Sequence, residues 1–86
     1  MFPELIIMNN EEEITAIVLI SVKTGTEYDV LDEILKSIDV EDAYITYGEW
    51  DIVLIFKDKK LGEIDAKLTK IRKIENIDQT TTLLAM

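Results

Sequence analysis

The sequence predicts an α+β sandwich with the element order β-α-β-β-α-β, in which two helices cover one face of a four-stranded antiparallel sheet. Three observations lead to it. Residues 14–22 and 50–56 are apolar on both parities, the pattern of strands covered on both sides. Residues 27–38, and the stretch after Asp58, instead repeat apolar residues at three- and four-residue steps, as amphipathic helices do. The two helix ends also echo each other: Leu35-Lys36-Ser37-Ile38-Asp39-Val40 resembles Ile71-Arg72-Lys73-Ile74-Glu75-Asn76-Ile77. In both, an apolar helix end passes through a very short turn into a strand.

In the first strand Ile14, Ala16, Val18, Ile20 and Val22 share one face, and Thr15, Ile17, Leu19 and Ser21 the other. Thr24-Gly25-Thr26 breaks it, and Thr26 with Asp29 three residues on resembles a capping box. Val30, Leu31, Ile34, Leu35 and Ile38 then form one helical stripe opposite Asp29, Asp32, Glu33, Lys36 and Ser37. A more polar strand follows over 43–47. Tyr47-Gly48-Glu49-Trp50 places Gly at the first central position of a two-residue hairpin turn. In the next strand Trp50, Ile52, Leu54 and Phe56 oppose Val53 and Ile55. Asp58 is the expected cap of the second helix, with Leu61, Ile64, Leu68, Ile71 and Ile74 on its buried stripe. Gly62 sits early in that helix at some cost in stability. The last strand spans 77–84 and contains Thr80-Thr81-Thr82.

Two βαβ halves joined by a hairpin make a ferredoxin-like sandwich. Right-handed crossovers place the first and third strands side by side in its centre. These are the two most apolar strands, so topology and burial agree. Two helices cover only one sheet face, yet Ile17 and Leu19, Val53 and Ile55 make the other face apolar too. Monomers rarely leave such a patch exposed. The expectation is a dimeric α+β barrel formed by sheet-to-sheet packing.

Length and charge exclude much else. Eighty-six residues at 9.9 kDa form one small domain with little interior left for a ligand cavity, so a site is expected where subunits meet. Nine Lys+Arg against eighteen Asp+Glu give a net charge of −9, which disfavours direct nucleic-acid binding and anionic membranes. With no His and no Cys, disulfides, thiolate nucleophiles, imidazole bases and the usual zinc ligand sets are absent. The N-terminus has no basic region, and its apolar run Leu5-Ile6-Ile7-Met8 is too short for a signal peptide or a spanning helix. A cytoplasmic protein without cofactor is expected. Residues 1–13 divide from the 14–86 domain as an extra edge strand at 5–8 plus a linker, or as a frayed end. Fourteen Ile and eight Lys against one Arg fit a thermophile, and equally an AT-rich genome.

Candidate chemistry is sparse. Consecutive Glu11-Glu12-Glu13 do not converge on a point, so they read as a solvated run and not as a metal site. Carboxylates, Tyr and Lys show no catalytic pair by spacing, and no phosphate loop is present. Thr80-Thr81-Thr82 reads first as a β-branched strand, and Gly48 as the residue that lets the chain turn. Asp51 stands out, a carboxylate beside an aromatic-flanked turn in an apolar strand. It needs a donor or a cationic ligand: either a turn-stabilising hydrogen bond or a ligand role.

The residues Ile14-Thr15-Ala16-Ile17-Val18-Leu19-Ile20, Gly25, Val40-Glu41-Asp42-Ala43-Tyr44, Tyr47-Gly48-Glu49-Trp50-Asp51, Ile71-Arg72-Lys73-Ile74 and Thr80-Thr81-Thr82 resemble the effector-binding (RAM) domain of Lrp/AsnC transcriptional regulators. The resemblance covers about 14–86, and the Gly-Glu-aromatic-Asp turn is its most specific element. It implies dimers paired through their sheets and assembled into octameric or similar rings, with a small effector, usually an amino acid, bound between dimers. On matching positions the effector-binding residues are Tyr47, Gly48, Asp51, Thr80 and Thr82. Asp51 suits an α-ammonium; backbone N–H groups near Gly48 and a threonine hydroxyl suit a carboxylate. Longer relatives carry an N-terminal helix-turn-helix domain, for which residues 1–13 leave no room, so a stand-alone version is expected, co-assembling with full-length Lrp/AsnC regulators. The alternatives are a small dimeric α+β-barrel enzyme of monooxygenase or isomerase type, against which the missing His argues, and a purely structural assembly domain.

Overall fold

The computed structural model describes residues 13–86; the strand expected at 5–8 lies outside them. The order is β1 (Ile14–Val22), α1 (Glu27–Ser37), β2 (Asp42–Ile45), β3 (Ile52–Asp58), α2 (Leu61–Arg72) and β4 (Ile77–Ala85). The strands form one antiparallel sheet in the order β2-β3-β1-β4. This is the ferredoxin-like arrangement, with the two most apolar strands central.

Alternation decides which face the helices cover. Ala16, Val18, Ile20 and Val22 of β1 and Ile52, Leu54 and Phe56 of β3 are buried with Val30, Ile34 and Ile38 of the α1 segment and Ile64, Leu68 and Ile71 of α2. This single core contains no buried polar residue among those described. The opposite parity, Ile17 and Leu19 of β1 with Val53 and Ile55 of β3, remains half-buried on a face without helices. Tyr44 and Leu83 continue that face, because Tyr44 stands opposite Val53 and Leu83 opposite Ile17.

Besides Leu35 and Leu61, which lie on the expected helical stripes yet are 49% and 53% exposed, three local expectations differ from the structure. Thr26 does precede α1, but its hydroxyl makes no cap and donates to the Lys23 carbonyl at 2.6 Å. The tight turn that brings the Thr26 N–H to the same carbonyl, at 3.0 Å, takes the hydroxyl with it. Asp58 does not cap α2, whose capping position is Lys60. Its carboxylate lies 3.0 Å from the Lys67 ammonium, which also sits 5.1 Å above the Phe56 ring centroid. The ammonium is thus the partner of the carboxylate, in place of the helix N–H groups it was expected to cap. That contact is an ion pair without hydrogen-bond alignment, since Asp58 Oδ2 is buried and makes no hydrogen bond. The third difference is the β2–β3 turn. Thr46 N–H donates to the Asp51 carbonyl at 2.9 Å, so Tyr47 to Trp50 form the loop, which is longer than a two-residue turn.

Gly62 occupies open space, and a β-carbon there would meet no atom within 4 Å. Its backbone is helical, so its cost is the entropy of the unfolded chain. Gly62→Ala is expected to stabilise the domain by about 0.5–1 kcal/mol, read as a higher urea midpoint at unchanged slope.

Candidate functional site

Four of the expected effector residues lie toward one end of the sheet, where β1 and β3 stop pairing, while Thr82, opposite Val18, stands at mid-strand. The last regular β1–β3 pair is Ile20 with Ile52. Beyond it the Asp51 N–H donates to the Ile20 carbonyl at 2.8 Å. The next β1 donor, the Val22 N–H, is taken by Asp51 Oδ2 at 2.8 Å. The side chain thus replaces a backbone carbonyl that β3 no longer supplies as it turns away. Asp51 has the turn-stabilising bond that the sequence offered as one of two readings, and its second oxygen makes no hydrogen bond to a described residue. A carboxylate has about four acceptor sites, so the structural bond leaves it able to take a further donor.

The loop above it is braced from within, the Thr46 hydroxyl donating to the Trp50 carbonyl at 2.7 Å. Sequence reasoning missed Thr46, which carries no signal beyond being a threonine before a turn. Gly48 adopts φ +120°, a region L side chains rarely occupy, so the turn depends on glycine there. Tyr47 is fully exposed at 100%: nothing in the protomer holds the ring.

The β1–β4 register resolves the three threonines. Thr80 stands opposite Ile20 and Thr82 opposite Val18, both core-facing, whereas Thr81 stands opposite Leu19 on the open face. Thr80 and Thr82 therefore share the helix side of the β4 edge. Asp51 meets β1 from the β3 side, so β1 lies between the threonines and the carboxylate: Thr80 is two strand spacings away, about 10 Å, and Thr82 is two residues farther along β4. Three grooves formed by described residues are lined by others: one lies between α1 and the end of α2, and a second beside the end of α1. A third lies between α2 and Leu84. One protomer places four of the five residues toward one end and Thr82 at mid-strand, and none of these three grooves is lined by them. Among the described residues no group of three acids is placed to hold a metal ion, and no helix is long and apolar enough to cross a membrane.

The match to known families covers nearly this whole structure: the model of the Lrp/AsnC ligand-binding domain matches residues 15–86. The chain belongs to that family. The Lrp/AsnC domain is 29% identical over 73 residues to the HTH-type transcriptional regulator FL11 of Pyrococcus furiosus, covering 85% of this chain and 48% of that one. It thus spans about half the length of the curated relatives it matches. Among solved structures it is similar to FFRP-DM1, at 34% identity and a TM-score of 0.78, covering 85% of this chain and 99% of that one. It is similar also to AsnC of E. coli, at 26% identity and a TM-score of 0.75, covering 85% of this chain and 50% of that one. The Lrp/AsnC resemblance read from the strand and turn residues is thereby established, and with it a place among regulatory ligand-binding domains.

Proposed function

We propose that this Lrp/AsnC domain is a non-catalytic, amino-acid-responsive regulatory module. Dimers pair through the open sheet face and assemble into a ring, and the effector binds between dimers. Tyr47, Gly48, Asp51, Thr80 and Thr82 supply this chain's share of the site. One observation carries the reading: Tyr47, Gly48 and Asp51 meet at one end of the sheet, with Thr80 on the same end of β4, and are left open, with the Tyr47 ring fully exposed and one Asp51 oxygen free of hydrogen bonds to described residues. A neighbouring subunit would close them into a pocket, as a protomer this small cannot do alone. The α-ammonium of an amino acid suits the free Asp51 oxygen, and its carboxylate the N–H groups around Gly48 and a threonine hydroxyl. The HTH-type regulators it resembles are the natural assembly partners for a regulatory role.

The test is a thermal-shift screen of the twenty amino acids on the wild type and on Asp51→Asn. The substitution keeps an acceptor for the Val22 N–H while removing the charge. The expected result is stabilisation by one or a few amino acids, near 2.7 kcal/mol at a hundredfold excess over Kd, and its loss in Asp51→Asn at nearly unchanged basal melting. No response to any amino acid, with assembly intact, would support a purely structural domain instead.

A further inference from the structure

The residues that carry β1 into α1 are held by few bonds, and one of these comes from the effector site. The Val22 N–H donates to Asp51 Oδ2 at 2.8 Å, on the β3 side of β1. The next N–H, that of Lys23, points the other way and donates to the Asn76 carbonyl at 2.9 Å. The Lys23 carbonyl in turn accepts the Thr26 N–H at 3.0 Å and the Thr26 hydroxyl at 2.6 Å. Thr26 precedes α1, and its carbonyl takes the Val30 N–H at 2.9 Å, the bond that opens the helix. Asp51, the end of β1 and the start of α1 are thus joined in series.

Two features let this series open. The β1–β4 register shifts between Ser21 and Val22, so Val22 and Lys23 lie beyond the regular ladder. Asn76 holds its carbonyl toward Lys23 from a left-handed backbone, φ 75°, a conformation that persists only where its surroundings fix it. On the β3 side the acceptor for Val22 is the Asp51 carboxylate, and bonds to charged acceptors are stronger than neutral ones. Loss of that acceptor leaves the link tied on the β4 side alone.

We infer that occupancy of the effector site is transmitted through the Val22–Lys23 link to the start of α1. This rests on the effector reading above, in which an α-ammonium takes the second oxygen of Asp51. An ammonium there fixes the carboxylate in the orientation that also accepts the Val22 N–H. With the site empty, one bond holds the side chain and the link opens more often. The coupling is reciprocal, so whatever tightens the link also raises affinity for the ammonium. The surface that responds is 23–28, where Tyr28 is 76% exposed.

Amide exchange resolved by NMR tests the relay. With no amino acid present, Asp51→Ala is expected to speed exchange at Val22, Lys23 and Thr26 about tenfold or more, the loss of a bond to a charged acceptor. Leu68, within α2, should change less. A change at Val22 alone would confine the effect to the deleted acceptor and overturn the inference. An equal change at Leu68 would make the effect global and do the same. On the wild type, exchange and melting are followed with each of the twenty amino acids added in turn. One that raises the melting midpoint is expected to slow Val22, Lys23 and Thr26 more than Leu68. A raised midpoint without that excess overturns the relay and leaves the effector reading standing. No rise with any amino acid would overturn the reading and the relay together. The wild-type comparison decides the outcome even where Asp51→Ala fails to fold.

Discussion

Ile17→Asp is expected to dissociate the protein into monomers at micromolar concentration, read by light scattering beside the wild type. Ile17 sits on the open face of the central strand, flanked by Ile55 on β3 and Leu83 on β4. With Leu19 and Val53 it forms the middle of an apolar surface that no helix covers. Two sheets packed face to face would place each introduced carboxylate in an apolar interface about 10 Å thick. An unpaired charge there costs several kcal/mol, and twofold symmetry applies the cost twice. The helix-side core lies on the opposite parity, so the monomer keeps its helix signal by circular dichroism. Wild-type melting should rise with protein concentration, whereas that of the variant should not. A variant still dimeric at the same concentration would show that another surface makes the contact. Val53→Ser, milder and on the neighbouring strand, should weaken association in the same direction.

Phe56→Ala is expected to have the largest effect on folding itself. The ring is 1% exposed, opposite Ala16 on β1, and among the largest side chains of the core. Its removal leaves a cavity and typically costs 3–5 kcal/mol. It also removes the face over which Lys67 is held, so the Lys67–Asp58 pair loses a wall of its pocket. Small domains have about 5–15 kcal/mol in total, so the variant should be largely unfolded or molten at 37 °C, shown by lost near-ultraviolet dichroism and a low urea midpoint. Phe56→Leu, which keeps most of the volume, should recover most of the loss. A Phe56→Ala protein with wild-type stability would mean that this core collapses around the gap, contrary to a tightly packed interior.

The sequence carried the fold because its strongest patterns are periodic. Two strands apolar on both parities could be satisfied only in the middle of the sheet, and the structure places β1 and β3 there. The helical stripes of Val30, Ile34 and Ile38, and of Ile64, Leu68 and Ile71, face the core as their spacing required. Apart from Leu35 and Leu61, which the stripes included and the fold leaves exposed, the expectations that failed were caps and turns. Thr26 and Asp58 have capping chemistry, but a hydroxyl or carboxylate goes to whichever partner tertiary packing brings nearer: the Lys23 carbonyl for one, the Lys67 ammonium for the other. Nothing local to Asp58 announces a lysine nine residues on. The β2–β3 turn proved longer than expected because Asp51 and Thr46 close it with bonds of their own.

For the site, the sequence by itself determined which residue types stand around the turn and on the last strand, and that a chain of this size and charge offers little else. Only the tertiary structure decided what they do to one another. Register settled that Thr80 and Thr82 face the helix side and Thr81 the open face, since shifting a strand by one residue exchanges its faces. The end of the β1–β3 ladder settled the bond of the Asp51 carboxylate, which takes the donor the β3 backbone has abandoned. Composition marked Asp51 as a carboxylate in need of a partner; only the folded chain could show that the partner is the Val22 N–H, 29 residues away.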